Sequence, residues 1–265
     1  MNIDVFDKYN KEIQKECEAK LDYVTTKAEY ISLINDARKH FETTSIQGSP
    51  INDVIQTQIE ESGIHEVLNN ALMVCDMYLP YSLIDLMQKK IGFEGIKKMI
   101  DDKSKPEADR ASLINSLIGI ENEDLYKYLI DIIVTSDSEL LKEEAADVLS
   151  LMDKNKVNLN ILESFDKNGV NNELLSVLVA VYKDTDESDS IYQLLRKHFI
   201  LSDNKSMIAN IMADLNDGRA VVFLRGYLSK NLNDIAKSEI VDICSAISRL
   251  GGYTEDFIKF NNQTH

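Results

Sequence analysis

Proline is scarce in this chain. Pro50, Pro80 and Pro106 are the only three in 265 residues, so the last 159 residues contain none. A proline inside a helix removes an N–H and clashes with the preceding turn. No helix after position 106 is therefore kinked by proline, and all three prolines fall where helices are expected to start, the position proline tolerates best. Cysteine is equally sparse. Cys17, Cys75 and Cys244 lie far apart with no C-x-x-C spacing, which excludes a disulfide framework or a cysteine-based metal knuckle and leaves three small apolar side chains in a reducing compartment. No apolar run approaches the roughly 18 residues that cross a bilayer. Asp4, Asp7 and Glu12 deny the N-terminus the basic, then apolar, profile of a secretory signal. A cytoplasmic protein without a membrane segment is expected.

Catalytic signatures are missing too. Glycine-rich phosphate loops and the G-x-S-x-G elbow do not occur. Glu60-Glu61, Asp101-Asp102 and Glu143-Glu144 are adjacent pairs, and neighbours on a helix diverge rather than converge on a substrate. His40, His65, His198 and His265 show no i, i+4 pairing and no nearby cysteine, so neither a metal site nor a cofactor site is expected. His198 falls in an apolar column and reads as a hydrogen-bonded core histidine. The acidic run from Asp184 through Asp186, Glu187 and Asp189 starts like a calcium loop, but Asp189 and Leu195 occupy the positions that need Gly and Glu. An acidic inter-helix turn capping the next helix fits better. Period-2 alternation bounded by turns is nowhere evident, so no sheet is expected.

What is abundant is negative charge and helical periodicity. There are 45 Asp+Glu against 29 Lys+Arg, a net charge of −16. This opposes binding to nucleic acid or anionic membranes, which needs a cationic surface. The charge is uneven: residues 121–189 hold 17 acids and 6 bases, while 190–265 hold 8 and 9. Four of the six arginines fall in the last 70 residues.

Apolar residues three or four apart predict helices over about 4–21 and 25–43, a Gly/Ser/Pro loop at 43–50, a helix opened by Pro50 and carrying Ile51, Val54, Ile55 and Ile59, and further helices over about 64–78, 81–90 and 92–102. Beyond them lies a repeat of about 32 residues. The pairs Ile114/Leu117, Ala146/Leu149, Leu175/Leu178, Ile208/Ile211 and Ile240/Ile243 recur, the second member stepping by 32, 29, 33 and 32. A second ladder, Leu129, Leu162, Leu195 and Leu224, steps by 33, 33 and 29. Periods of this length mark stacked helical hairpins, each unable to bury its apolar face alone. Two positions before the second anchor stand Lys127, Asn160, Gln193 and Val222, polar in three units of four.

Arg110-Ala111, Leu117-Ile118-Gly119, Leu125 and Leu129, and the stretch from Ala213 through Asp217, Arg219 and Val221 to Leu224 resemble the HEAT family. The likeness is to its short bacterial type, also found in phycobilisome lyase-like proteins, and spans about 108–260. It implies an all-α, right-handed α-solenoid that recognises protein, and it implies no chemistry. The expected organisation is residues 1–105 as a helical cap and 106–265 as four to five hairpins. The expected function is a non-enzymatic protein-binding scaffold or adaptor. The alternative is an enzyme or accessory factor on a HEAT-like scaffold, of DNA-alkylation glycosylase-like or lyase-like type.

Second helices of such a solenoid line its concave face. The partner is therefore expected against Lys127, Gln193, Arg196, Lys197 and Arg225, near the aromatics Phe199, Phe223, Tyr227 and Tyr253, since Arg and Tyr are favoured recognition residues. The acids Glu143, Glu144, Asp147, Asp184, Asp186 and Glu187 are expected on a solvated outer face.

Overall fold

A computed structural model gives the architecture, described for residues 3–24, 27–43, 45–46, 49–75, 78–183 and 185–258. Asp184 and His265, and the side chains of Ala28 and Ile31, lie outside the described set. Nearly all regular structure is helical. The N-terminal helices are α1 (Ile3–Lys20), α2 (Lys27–Thr43), α3 (Ile51–Ser62), α4 (Ile64–Leu72), α5 (Tyr81–Lys90) and α6 (Gly92–Asp101). The repeat region follows with α7 (Glu107–Asn115), α8 (Glu123–Thr135), α9 (Glu139–Ser150), α10 (Lys154–Asn168), α11 (Asn172–Tyr182), α12 (Ser188–Leu201), α13 (Lys205–Asp214), α14 (Arg219–Asn231) and α15 (Lys237–Arg249). Among the described residues, no helix is long and apolar enough to cross a membrane.

Two expectations about the N-terminal elements are corrected. The loop after α2 holds a minimal antiparallel pair, β1 (Ser45–Ile46) and β2 (Ser49–Pro50). Two residues per strand are too few to leave an alternating pattern in sequence. The helix expected to reach Tyr78 stops at Leu72. Residues 73–75 continue as a turn, with the Cys75 N–H still donating to the Ala71 carbonyl at 2.8 Å. Further on, Pro80 steers Leu79 away from helical geometry and opens α5, and the Leu79 carbonyl accepts from the Arg38 guanidinium.

The chain forms two compact units, residues 1–125 with 136–148, and residues 126–135 with 149–265. In the first, α1 packs on α2 and α4, α2 on α3 and α5, α5 on α6, and α6 on α7. The boundary expected at 105/106 therefore falls inside one unit. There α6 and α7 are bridged by Arg110 Nε donating to the Ile100 carbonyl at 2.5 Å. Gly92 enters α6 at φ 70°, a backbone region open to glycine, so α5 and α6 follow one another with almost no linker.

In the second unit α10 packs on α11, α11 on α12, α12 on α13, α13 on α14 and α14 on α15, while α13 also packs on both α11 and α15. Of the first ladder's pairs, both members are buried at Ile114/Leu117 in the first unit and at Leu175/Leu178, Ile208/Ile211 and Ile240/Ile243 in the second, whereas in Ala146/Leu149 only Leu149 is buried and Ala146 is half-buried. The second ladder holds except in α10. There Leu162 is 42% exposed and Leu159 66%, whereas Val157 and Ile161 are fully buried. One residue of offset turns a side chain by roughly 100° around the helix, and adjacent Ile161 and Leu162 are equally apolar. With Ile161 as anchor, every second helix buries the residues at −4, 0 and +4: Leu125/Leu129/Ile133, Val157/Ile161/Phe165, Ile191/Leu195/Phe199 and Ala220/Leu224/Leu228.

Side-chain caps close several turns. Asp153 accepts from the N–H groups of Asn155 and Lys156, Asn171 from Leu174 and Asn204 from Met207, satisfying donors that a helix start leaves orphaned. The acidic turn before α12 differs from expectation, because Glu187 at its N-cap makes no side-chain cap. Its Asp189 instead takes Arg219 at 2.5 Å. All three cysteines are buried free thiols, as their apolar surroundings imply.

Candidate interaction groove

The arginines of the second unit divide sharply by partner. Arg219 pairs with Asp217 at 2.6 Å and Asp189 at 2.5 Å while lying over the Tyr192 ring, which ties α14 to α12. Arg249 pairs with Asp214. Arg225 pairs with Asp256 at 2.7 Å, donates to the Tyr253 carbonyl and lies over the Phe257 ring. Arg196, among the described residues, has no carboxylate partner; its guanidinium sits 5.3 Å from the centre of the Phe223 ring.

Arg196 opens onto a groove of about 380 Å³ between α12 and α14. Phe199 forms its floor, meeting Phe223 and Tyr227 edge-to-face at 5.3 and 4.9 Å between ring centres. This geometry suits the ring quadrupoles. The Tyr227 hydroxyl donates to Glu239 at 3.0 Å, and burial, reinforced by that carboxylate, pushes its pKa up to about 12. Above the rings stand two large aliphatics in water, Ile200 at 63% and Val222 at 77% exposure. Lys205, Gly226, Lys230 and Asn231 complete the lining, which contains no acidic residue. Lys205 also donates to the Ile200 carbonyl at 3.1 Å, closing the C-terminal end of α12.

The five residues expected at the partner face are thus distributed unevenly. Arg196 lines this groove, and Gln193 and Lys197 are exposed on the same helix. Lys127 lines a second, smaller groove of about 280 Å³ between α8 and α10 with Asp131, Asn160, Glu163 and Lys167, where charges of both signs alternate. Arg225 is occupied by the C-terminal turn. Ile200, Val222, Lys205 and Lys230 were not singled out by sequence reasoning as binding residues. Val222 carried a sign, as the one apolar residue in an otherwise polar column. His198 is half-buried, bonded to Asn172 at 3.1 Å, with burial and then Lys205 lowering its pKa.

A second polar cluster lies in the first unit. Glu42, at the end of α2, accepts from the Tyr9 hydroxyl at 3.4 Å and from the backbone N–H of Tyr81 in the first turn of α5. Its carboxylate caps a helix distant in sequence and meets the positive end of that helix dipole. Burial nevertheless raises its pKa, against the lowering effect of the Tyr81 N–H and Arg38. Arg38 lies 3.9 Å from the centre of the Tyr81 ring and bonds Asn35, which also accepts from the Tyr81 hydroxyl. The cluster fastens α2 to α5 and is explained by that role. Glu144, expected on a solvated face, is in fact buried and accepts from Asn115.

Among the described residues no group of three or more His, Cys, Asp and Glu is placed to hold a metal ion. Comparison with protein families, with curated proteins and with solved structures finds no match to this chain.

Proposed function

We propose that this chain is a non-enzymatic, cytoplasmic protein-binding module, an α-solenoid of HEAT-like repeats over about 108–260, whose partner seats in the α12/α14 groove. The observation that carries this reading is the pairing of an uncompensated arginine with exposed aliphatics. In a chain of net charge −16, a basic groove without acid, floored by three aromatics and edged by Ile200 and Val222, is costly to leave in water. Exposed apolar patches rimmed by polar groups mark interaction sites, and Arg and Tyr are favoured there. The serial packing of α11, α13 and α15, with the −4, 0, +4 burial column on every second helix, supports the repeat architecture.

Affinity capture from a native lysate tests the reading. Arg196→Glu with Lys230→Glu should remove a reproducible set of captured proteins, and Glu143→Lys should leave that set intact. A set indifferent to the groove reversal, or lost equally with Glu143→Lys, would contradict the proposal.

A further inference from the structure

Resting on that reading, we infer that the groove's occupant is a short linear segment of a partner protein in which bulky apolar side chains are flanked by carboxylates. Three features select this chemistry. First, size: at about 380 Å³ the groove lies at the scale of a small-ligand pocket. It takes the side chains of a segment rather than the face of a domain. Second, charge: Arg196, Lys205 and Lys230 line it with no acid among them. Arg219, Arg225 and Arg249 already hold Asp189, Asp214, Asp217 and Asp256. Among the described residues no carboxylate pairs with Arg196, so its guanidinium is open to one that a partner brings. Third, shape: Ile200 and Val222 stand in water beside the buried Phe199 and the half-buried Phe223 and Tyr227, so an entering apolar side chain meets aliphatic walls and an aromatic floor.

A single-stranded nucleic acid is the competing occupant, because cations beside aromatics also bind stacked bases. The ring arrangement disfavours it. Phe223 is covered on one side by Arg196 and abuts Phe199 edge-to-face, and Tyr227 meets Phe199 the same way while its hydroxyl is held by Glu239. The apolar lining residues most open to water are the branched aliphatics Ile200 and Val222, which offer no flat face to a base.

The test is fluorescence anisotropy on the full chain with a short fluorescein-labelled peptide carrying Phe and Leu between Asp and Glu residues. Three competitors serve as controls: the same peptide with Lys for every acid, the same peptide with Ser for Phe and Leu, and a single-stranded oligonucleotide. The acidic apolar peptide should bind at least about tenfold more tightly than either altered peptide, and more weakly as salt rises from about 50 to about 300 mM. Val222→Asp and Lys230→Glu should each weaken it about tenfold. Both positions are exposed, and unchanged circular dichroism of each variant verifies that the fold is intact. Equal binding of either altered peptide, tighter binding of the oligonucleotide, or indifference to both substitutions would overturn the inference. If any of these occurs while lysate capture remains dependent on Arg196 and Lys230, the partner chemistry is wrong and the binding-module reading stands. If capture also ignores the groove, both fall.

Discussion

The Arg225 guanidinium lies 2.7 Å from the Asp256 carboxylate and 4.9 Å from the centre of the Phe257 ring, pinning the C-terminal turn of residues 255–258 against α14. Arg225 holds Asp256 below the usual carboxylate range, with its hydrogen bond the main cause. A carboxyl group whose folded pKa is depressed contributes stability above its unfolded value, and loses it as pH falls through the folded one. The turn should therefore loosen below about pH 4, before the buried helices melt. Protection of the 255–258 amides, taken as exchange relative to the intrinsic rate at each pH, should fall on acidification in the native protein. It should already be low, and flat over that range, in Asp256→Asn. Acid-insensitive protection in the native chain would show that the ion pair does not hold the turn.

Glu42 titrates in the opposite sense. Its folded pKa is raised by burial, so its contribution is complete below the unfolded value of about 4.3 and is lost as pH rises through the folded one. Glu42→Gln keeps an acceptor for the Tyr81 N–H and removes the buried charge, so its melting temperature relative to native should improve as pH rises from 4 to 7. Glu42→Ala leaves the Tyr81 N–H and Tyr9 hydroxyl without that acceptor and should cost about 1–3 kcal/mol. Equal losses in both variants, independent of pH, would show that the carboxylate's shape alone matters.

Register in α10 is testable by neighbouring substitutions. Ile161 is fully buried and Leu162 is 42% exposed. Ile161→Ala should cost about 2–5 kcal/mol, as buried aliphatic deletions do. Leu162→Ala should stay within about 0.5 kcal/mol, as exposed changes do. Denaturant midpoints in the reverse order would restore the ladder through Leu162.

Gly252 offers a steric check on the C-terminal turn. A Cβ added there would stand 2.5 Å from Ile247 Cγ2, 2.8 Å from Val221 Cγ1 and 3.1 Å from the Ile247 carbonyl oxygen. Gly252→Ala should thus destabilise by about 1–3 kcal/mol through overpacking. A thermal melt unchanged from native would mean the turn can back away from α14 and α15.

Local and distant relationships were not equally legible in the sequence. Leu149, Leu178, Ile211 and Ile243 could be read because each belongs to a helix whose own apolar spacing places it, while Leu117 lies in the turn just after α7. The α10 anchor was misread because Ile161 and Leu162 are chemically alike and only packing separates them. Arg196, Phe199, Phe223 and Tyr227 drew notice as a basic-aromatic constellation, and the fold brings them together. Which arginine stays uncommitted could not be read, because the partners of Arg225 and Arg249 lie 31 and 35 residues away. The Glu42 cap was invisible for the same reason: its target N–H is 39 residues on, and a backbone donor carries no side-chain signature.

The most direct test of the groove is site-specific photo-cross-linking. A photoreactive residue at Val222, 77% exposed inside the groove, is compared with one at Val241, 54% exposed on α15 outside its lining. The expected result is a discrete polypeptide adduct from position 222 that Lys230→Glu abolishes, with no corresponding adduct from 241. Identical adduct patterns from both positions, or none from 222 under conditions where capture succeeds, would contradict a partner seated between α12 and α14.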